Sequence, residues 1–208
     1  MALTKGKKIT IFVIALLVLD QVSKILVKTH MTLGQAINVF GDWFQIYFVE
    51  NIGMAFGMSF GGLVGKFILT FLRIALGVAM IIYIRKLLKR DDVPTGILYG
   101  LAAIMCGAFG NIFDSLFYGM IFSESGFTQV ATMFPEGGGY AGPFFGKVVD
   151  MLYFPIIDTT FPDWMPFIGG KPFRFFSAIF NVADSCITVG AFYLAIFHWR
   201  FFTSKENN

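Results

Sequence analysis

The sequence predicts an all-α integral membrane protein, with four transmembrane helices carrying a small strand-rich extracytoplasmic platform. Three observations predict it. The 208 residues are 56% hydrophobic and only 14% charged, against about 25% charged in a soluble domain, and the mean hydropathy is +0.72. Four apolar runs approach the roughly 20 residues that span a hydrocarbon core. Basic clusters mark alternate ends of these runs, as the positive-inside rule requires. The length suits one membrane-embedded domain, residues 1–208. The net charge of +3 is small, and its basic residues flank apolar runs, so they are topology signals rather than a nucleic-acid surface. Cys106 and Cys186 lie inside apolar runs and are read as small buried hydrophobes, not a disulfide framework.

Helix 1 is expected at about 9–29. Lys5, Lys7 and Lys8 precede it and place the N-terminus in the cytoplasm. Asp20 and Lys24 interrupt its outer half, four apart and acid first, the favourable order for a helical ion pair. They form either a self-neutralising structural pair or part of a substrate site. Residues 30–66 make the outer platform: Trp43–Val49 is aromatic and β-branched, as in a strand, and Gly53 and Gly57 signal turns. Helix 2 is expected at about 67–84, with Arg73 in its outer part and Arg85, Lys86, Lys89 and Arg90 closing it inside.

Helix 3 follows at about 95–119, thinned on one side by Gly96, Gly100, Gly107 and Gly110 so that a neighbour approaches closely. Residues 120–172 form a long outer segment rich in Phe, Trp, Tyr and Met, expected to be ordered on the membrane surface. Its acids Asp150, Asp158 and Asp163 are read as surface charges. Helix 4, about 174–200, runs inward and ends on His198 and Arg200. Both termini are then cytoplasmic. The two histidines, His30 and His198, lie at opposite sides of the membrane, so no shared metal site is expected, and no cofactor.

The chemistry lies in two Asn-x-x-Asp stretches, Asn111 with Asp114 and Asn181 with Asp184. A spacing of three puts both side chains on one helix face. A carboxylate inside a bilayer is costly and marks a functional site by default. The topology puts Asp114 and Asp184 in one outer layer on antiparallel helices. Two carboxyls sharing a proton can activate water for peptide hydrolysis, and Asn111 and Asn181 can donate hydrogen bonds that orient them. The sequence holds no His-Glu-x-x-His, Gly-x-Ser-x-Gly or Gly-x-Gly-Asp. A proton-coupled transporter or channel built on the same Asp/Asn pairs fits the spacing too, as does a scaffold with a structural polar cluster.

Four stretches resemble the bacterial lipoprotein signal peptidases, the type II signal peptidase family: Leu19-Asp20-Gln21-Val22-Ser23-Lys24, Glu50-Asn51-Ile52-Gly53-Met54-Ala55-Phe56-Gly57, Gly110-Asn111-Ile112-Phe113-Asp114 and Phe180-Asn181-Val182-Ala183-Asp184. The resemblance implies Asp114 and Asp184 as the catalytic dyad, with Asp20, Lys24, Asn51, Gly53, Asn111, Asn181 and Ala183 supporting it or binding substrate. It implies cleavage of prolipoproteins on the amino side of a diacylglyceryl-modified cysteine, sensitivity to globomycin-like inhibitors, contact with membrane lipids, and a monomer in the bacterial inner membrane with its active site facing out. Two features depart from the family. Ser115 stands where an Arg usually follows the Asp, leaving Arg73 and Arg174 as replacements, and residues 120–172 read as an insertion.

Overall fold

The computed structural model describes residues 3–52 and 62–203; Gly53 and Gly57 of the platform lie outside them. Helix α1 is Lys5–His30, opened by the Thr4 side chain accepting Lys7 N. Strands β1 (Ala36–Phe40) and β2 (Phe44–Asn51) follow, then α2 (Gly62–Leu87) and α3 (Thr95–Phe113). A π-helical turn, Asp114–Tyr118, and a last turn α4, Gly119–Ile121, extend α3. Next come β3 (Val148–Tyr153), β4 (Ile157–Thr160), β5 (Pro172–Phe175), β6 (Ile179–Phe180), α5 (Val182–Phe197) and α6 (Trp199–Thr203).

Among the described residues, three helical stretches are long and apolar enough to cross a membrane: Lys5–His30, Val64–Leu87 and Thr95–Ile121. Lipid leaves backbone groups no outside partner, so such runs close their hydrogen bonds within the helix. The fourth expected span is shorter than the sequence suggests. Residues 172–180 are strand and turn, and α5 starts only at Val182. Its 16 residues reach about 24 Å at 1.5 Å per residue.

Helix α3 is the hub, packed against α1, α2 and α5. Its glycines set the spacing. A Cβ on Gly107 would stand 2.1 Å from the Ala183 carbonyl oxygen, and one on Gly110 would stand 2.5 Å from Asp20 Oδ2. Only glycine admits α5 and α1 this closely. One hydrophobic core joins Ile9, Ile84, Val93, Ile97, Leu98 and Leu194 at one end of the bundle. A second, at the other end, joins Val27 and Met31 of α1 to Phe48, Tyr118, Phe122, Val149 and Met151, and so binds the platform to the helices.

The platform is an antiparallel sheet of order β1-β2-β3-β6. Its third strand corrects the reading of 120–172 as a single insertion. β3 pairs with β2, Glu50 opposite Val149 and Asn51 opposite Val148, and is as much a part of the platform as β2. On either side of it lie a loop over 122–147 and a separate hairpin of β4 and β5.

Candidate active site

The Asn-x-x-Asp of α5 has a local physical cause. Asn181 is the helix N-cap, and its side chain accepts from Asp184 N at 2.9 Å, so the spacing of three is that of a capping interaction. With its oxygen so used, the Asn181 amide nitrogen faces the other way. It donates to Asp150 Oδ1 at 2.7 Å, to Val149 O at 3.2 Å and to Asn111 Oδ1 at 3.2 Å. Asp184 lies in the first turn of α5, where the helix dipole favours a negative charge, and accepts from Asn111 Nδ2 at 2.7 Å.

Asp150 is therefore the carboxyl that the fold brings toward Asp184. It is buried on β3 and also accepts from Asn51 Nδ2 at 3.4 Å. Burial pushes its pKa up to about 7, and the Asp184 charge pushes the same way, against the Asn51 and Asn181 hydrogen bonds and the Lys24 charge. Reading Asp150 as a surface charge is corrected accordingly.

Asp114 is committed elsewhere. Its Oδ2 is 2.8 Å from Lys24 Nζ, and its Oδ1 accepts from Gln21 Nε2 at 3.0 Å. Lys24 Nζ also reaches Asp20 Oδ2 at 2.9 Å and Asn111 Oδ1 at 2.9 Å. Three oxygens thus lie within 2.9 Å of the one ammonium. Lys24 and Asp114 are fully buried and Asp20 almost so. The pair in α1 is thus neither solvated nor self-contained; Asp114 is its third member. The structure ties Asp114 to Lys24 and Gln21, and it is Asp150 that the Asn181 amide joins to Asp184. This corrects the expectation that Asp114 and Asp184 meet.

The ion cluster supports the second carboxyl pair. Lys24 can only donate, so the Asn111 atom facing it is the carbonyl oxygen, which turns the Asn111 nitrogen toward Asp184. Asp20 Oδ1 accepts from Ala183 N at 2.8 Å and so anchors the first turn of α5. Ala183 is buried against α3. Asp20, Lys24, Asn51, Asn111, Asn181, Ala183 and Asp184 converge on one region, whereas Gly53 lies outside the described residues.

Ser115 is buried, with its hydroxyl donating to Asn111 O at 3.0 Å. Gly146 N donates to the Ser115 carbonyl at 2.9 Å, so the chain leading into β3 occupies the space beside it. Of the two arginines considered as replacements, half-buried Arg73 has its charge within reach of Asp184. Arg174 is on β5. Lys66 of α2 is a further cation that the sequence reading passed over. It donates to Phe145 O and Gly146 O, both at 2.9 Å, and holds the entry to β3. A clamp on the other side joins Lys28 to Glu50 and to Ser125 Oγ (2.8 Å), with Ser125 donating to Glu50 at 2.8 Å. It fixes the residue next to Asn51. The signal for Asp150 was present in Val148–Tyr153, a β-branched apolar run with one acid inside it.

Comparison with known proteins identifies the family. Residues 12–200 match the family described as signal peptidase (SPase) II. A lipoprotein signal peptidase of Porphyromonas gingivalis is 48% identical over 95% of this chain and 85% of its own length. One from Amoebophilus asiaticus is 38% identical over 83% and 70%. A bacterial membrane enzyme solved at 2.3 Å resolution shares the fold, with TM-score 0.59 and 20% identity, covering 97% of this chain and 93% of that one. A second, at 1.9 Å, has TM-score 0.58 and 21% identity, covering 91% of each. The chain belongs to the signal peptidase II family.

Proposed function

We propose that this chain is an intramembrane aspartic endopeptidase that removes signal peptides from prolipoproteins, cutting on the amino side of a diacylglyceryl-modified cysteine, with Asp150 and Asp184 as the dyad. One observation carries this assignment: the Asn181 side chain caps the turn that bears Asp184 and donates to Asp150, so a single amide sets both carboxyls. The roles divide by environment. Asp184, at a helix N-terminus and hydrogen-bonded by Asn111, is the base. Asp150, buried and pushed up to about 7, holds the shared proton.

Asp184 takes a proton from water as its oxygen attacks the scissile carbonyl carbon, and Asp150 gives its proton to the carbonyl oxygen. The resulting tetrahedral diol collapses with cleavage of the C–N bond. Asp184 passes its proton to the departing nitrogen, and Asp150 recovers one from the diol. Asn111 and Asn51 hold the carboxyl orientations, and Lys24 acts through Asn111. Arg73, within electrostatic reach of Asp184, offsets the negative charge of the pair and takes the part that Ser115 cannot.

The reading places the protein in the bacterial inner membrane as a monomer, with both termini cytoplasmic and the platform outside. The acyl chains of the substrate stay in the bilayer, and globomycin-like peptides compete for the site. The test is a gel-shift cleavage assay of the purified protein with a diacylglyceryl-modified prolipoprotein and its unlipidated form. Cleavage of the lipidated form alone is expected. Proton flux in proteoliposomes with no cleavage would support the transporter reading instead.

A further inference from the structure

Two lysines of α1, Lys24 and Lys28, are four residues apart, so they share a face of the helix, and both are fully buried. Lys24 holds Asn111 and, through it, Asp184. Lys28 holds the strands that carry the other carboxyl. Its Nζ contacts Glu50 of β2 and lies 2.8 Å from Ser125 Oγ, and the Ser125 hydroxyl donates to the same Glu50 oxygen at 2.8 Å. Glu50 stands opposite Val149, and Asn51 opposite Val148. Alternation puts Glu50 and Val149 on one face of the sheet, and Asn51 and Asp150 on the other. Val149 belongs to the core at the helix ends, whereas Asp150 meets Asn181 and Asn51. One pair of strands therefore carries a buried ion pair on one face and a reacting carboxyl on the other.

The loop over 122–147 closes this clamp. Besides Ser125 it supplies Tyr140, whose ring faces Lys28 Nζ at 5.1 Å and Lys147 Nζ at 5.3 Å. The Tyr140 hydroxyl accepts from Lys147 N at 2.6 Å, and Lys147 Nζ lies 3.4 Å from the second Glu50 oxygen. Glu50 is thus held from α1, from the loop and from the residue that leads into β3. A buried ion pair adds little net stability over apolar packing of the same volume. What it adds here is a fixed distance between α1 and β2.

We infer that Lys28 and Glu50 are positioning residues for the reaction: they set the strand pair bearing Asn51 and Asp150 against α1, as Lys24 sets Asn111 and Asp184 against the same helix. A single helix face then fixes the separation of the two carboxyls, and the 122–147 loop is its buttress. The inference rests on the peptidase reading above, with Asp150 and Asp184 as the dyad.

The test separates the length of the Glu50 side chain from its charge. Glu50→Gln keeps the length and an acceptor oxygen for Lys28 and Ser125. Glu50→Asp keeps the charge but draws it back by one methylene, so the strand must shift to meet Lys28. Both are assayed on the lipidated prolipoprotein well below their unfolding temperatures. Glu50→Gln is expected to keep kcat within about threefold of wild type. Glu50→Asp is expected to lose about tenfold or more in kcat, with KM changed less, because small misplacements of reacting groups are costly. Its pH profile should move as well. The Asn51 hydrogen bond and the Lys24 charge hold the Asp150 pKa down, and the Asp184 charge raises it. Weakening the Asn51 bond alone lets Asp150 keep its proton to higher pH, so the decline of kcat/KM should shift upward by roughly half a pH unit. Ser125→Ala carries the same test from the loop side, with a smaller loss of about threefold and a shift in the same direction. Glu50→Asp with wild-type kcat and profile, or Glu50→Gln losing as much as Glu50→Asp, would overturn the positioning role and leave the peptidase standing. So would a Ser125→Ala protein unchanged in both readouts. Failure of the wild-type protein to cut the lipidated substrate would overturn the peptidase reading and this inference with it.

Discussion

Replacing Lys24 with Met keeps most of the side-chain volume and removes the ammonium. In the folded protein that ammonium contacts Asp20 at 2.9 Å, Asp114 at 2.8 Å and Asn111 at 2.9 Å, and no more than 1% of any of the three charged side chains is exposed. The substitution leaves two buried carboxylates facing each other and frees the Asn111 amide to turn. Removing one partner of a buried ion pair costs about 3–5 kcal/mol. At roughly 2–4 °C per kcal/mol for a chain of this size, the midpoint of thermal unfolding in detergent should fall by roughly 6–20 °C. Adding Asp114→Asn removes one of the stranded charges, so the double variant should be more stable than the sum of the two single effects by about 1 kcal/mol or more. A fall of less than about 1 kcal/mol in Lys24→Met, or strict additivity, would refute the cluster as a buried, mutually dependent unit.

Further outcomes follow from the same geometry. Gly107→Ala puts a methyl group 2.1 Å from the Ala183 carbonyl and should cost about 1–3 kcal/mol in thermal unfolding. Gly77→Ala, whose methyl meets only the edge of the Phe109 ring at 3.1 Å, should cost less. Asp20→Ala removes both a Lys24 contact and the acceptor for Ala183 N; loss of stability and of cleavage together is expected, measured by unfolding and gel shift. The pH profile tests the division of roles. Asp150 is protonated below about 7 and loses its proton above it, so kcat/KM for the lipidated substrate should decline as pH rises through about 7. A rate that keeps rising to pH 9 would contradict Asp150 as the acid.

Helices were legible because lipid demands long apolar runs, and α1, α2 and α3 cover three of those runs. The supporting polar residues were legible because a buried Asp, Lys or Asn in such a run needs partners, and Asp20, Lys24, Asn111 and Asn181 found them. What could not be read was which carboxyl meets Asp184. The expectation for Asp114 came from depth along two antiparallel helices, and depth says nothing about direction around the helix axis. Lys24 and Gln21 claim that side of α3. Asp150 enters from a strand whose neighbours in sequence are loops, and its place depends on pairing with β2, a contact about 100 residues distant that no local pattern encodes. The late start of α5 has a similar cause: the aromatic run before Asn181 is apolar enough for a helix but pairs as strands β5 and β6.

Cleavage by Asp150→Asn is the most direct test of the account. The variant should unfold at the wild-type temperature, because an amide keeps the shape and an acceptor oxygen for Asn181. It should also lose cleavage of the lipidated substrate by about 10³-fold or more, as removal of an essential reacting group does. Asp184→Asn should behave alike, whereas in Asp114→Asn any loss of activity should follow its loss of stability. Undiminished cleavage by a well-folded Asp150→Asn protein would contradict the assignment and return the search for the second carboxyl to Asp114.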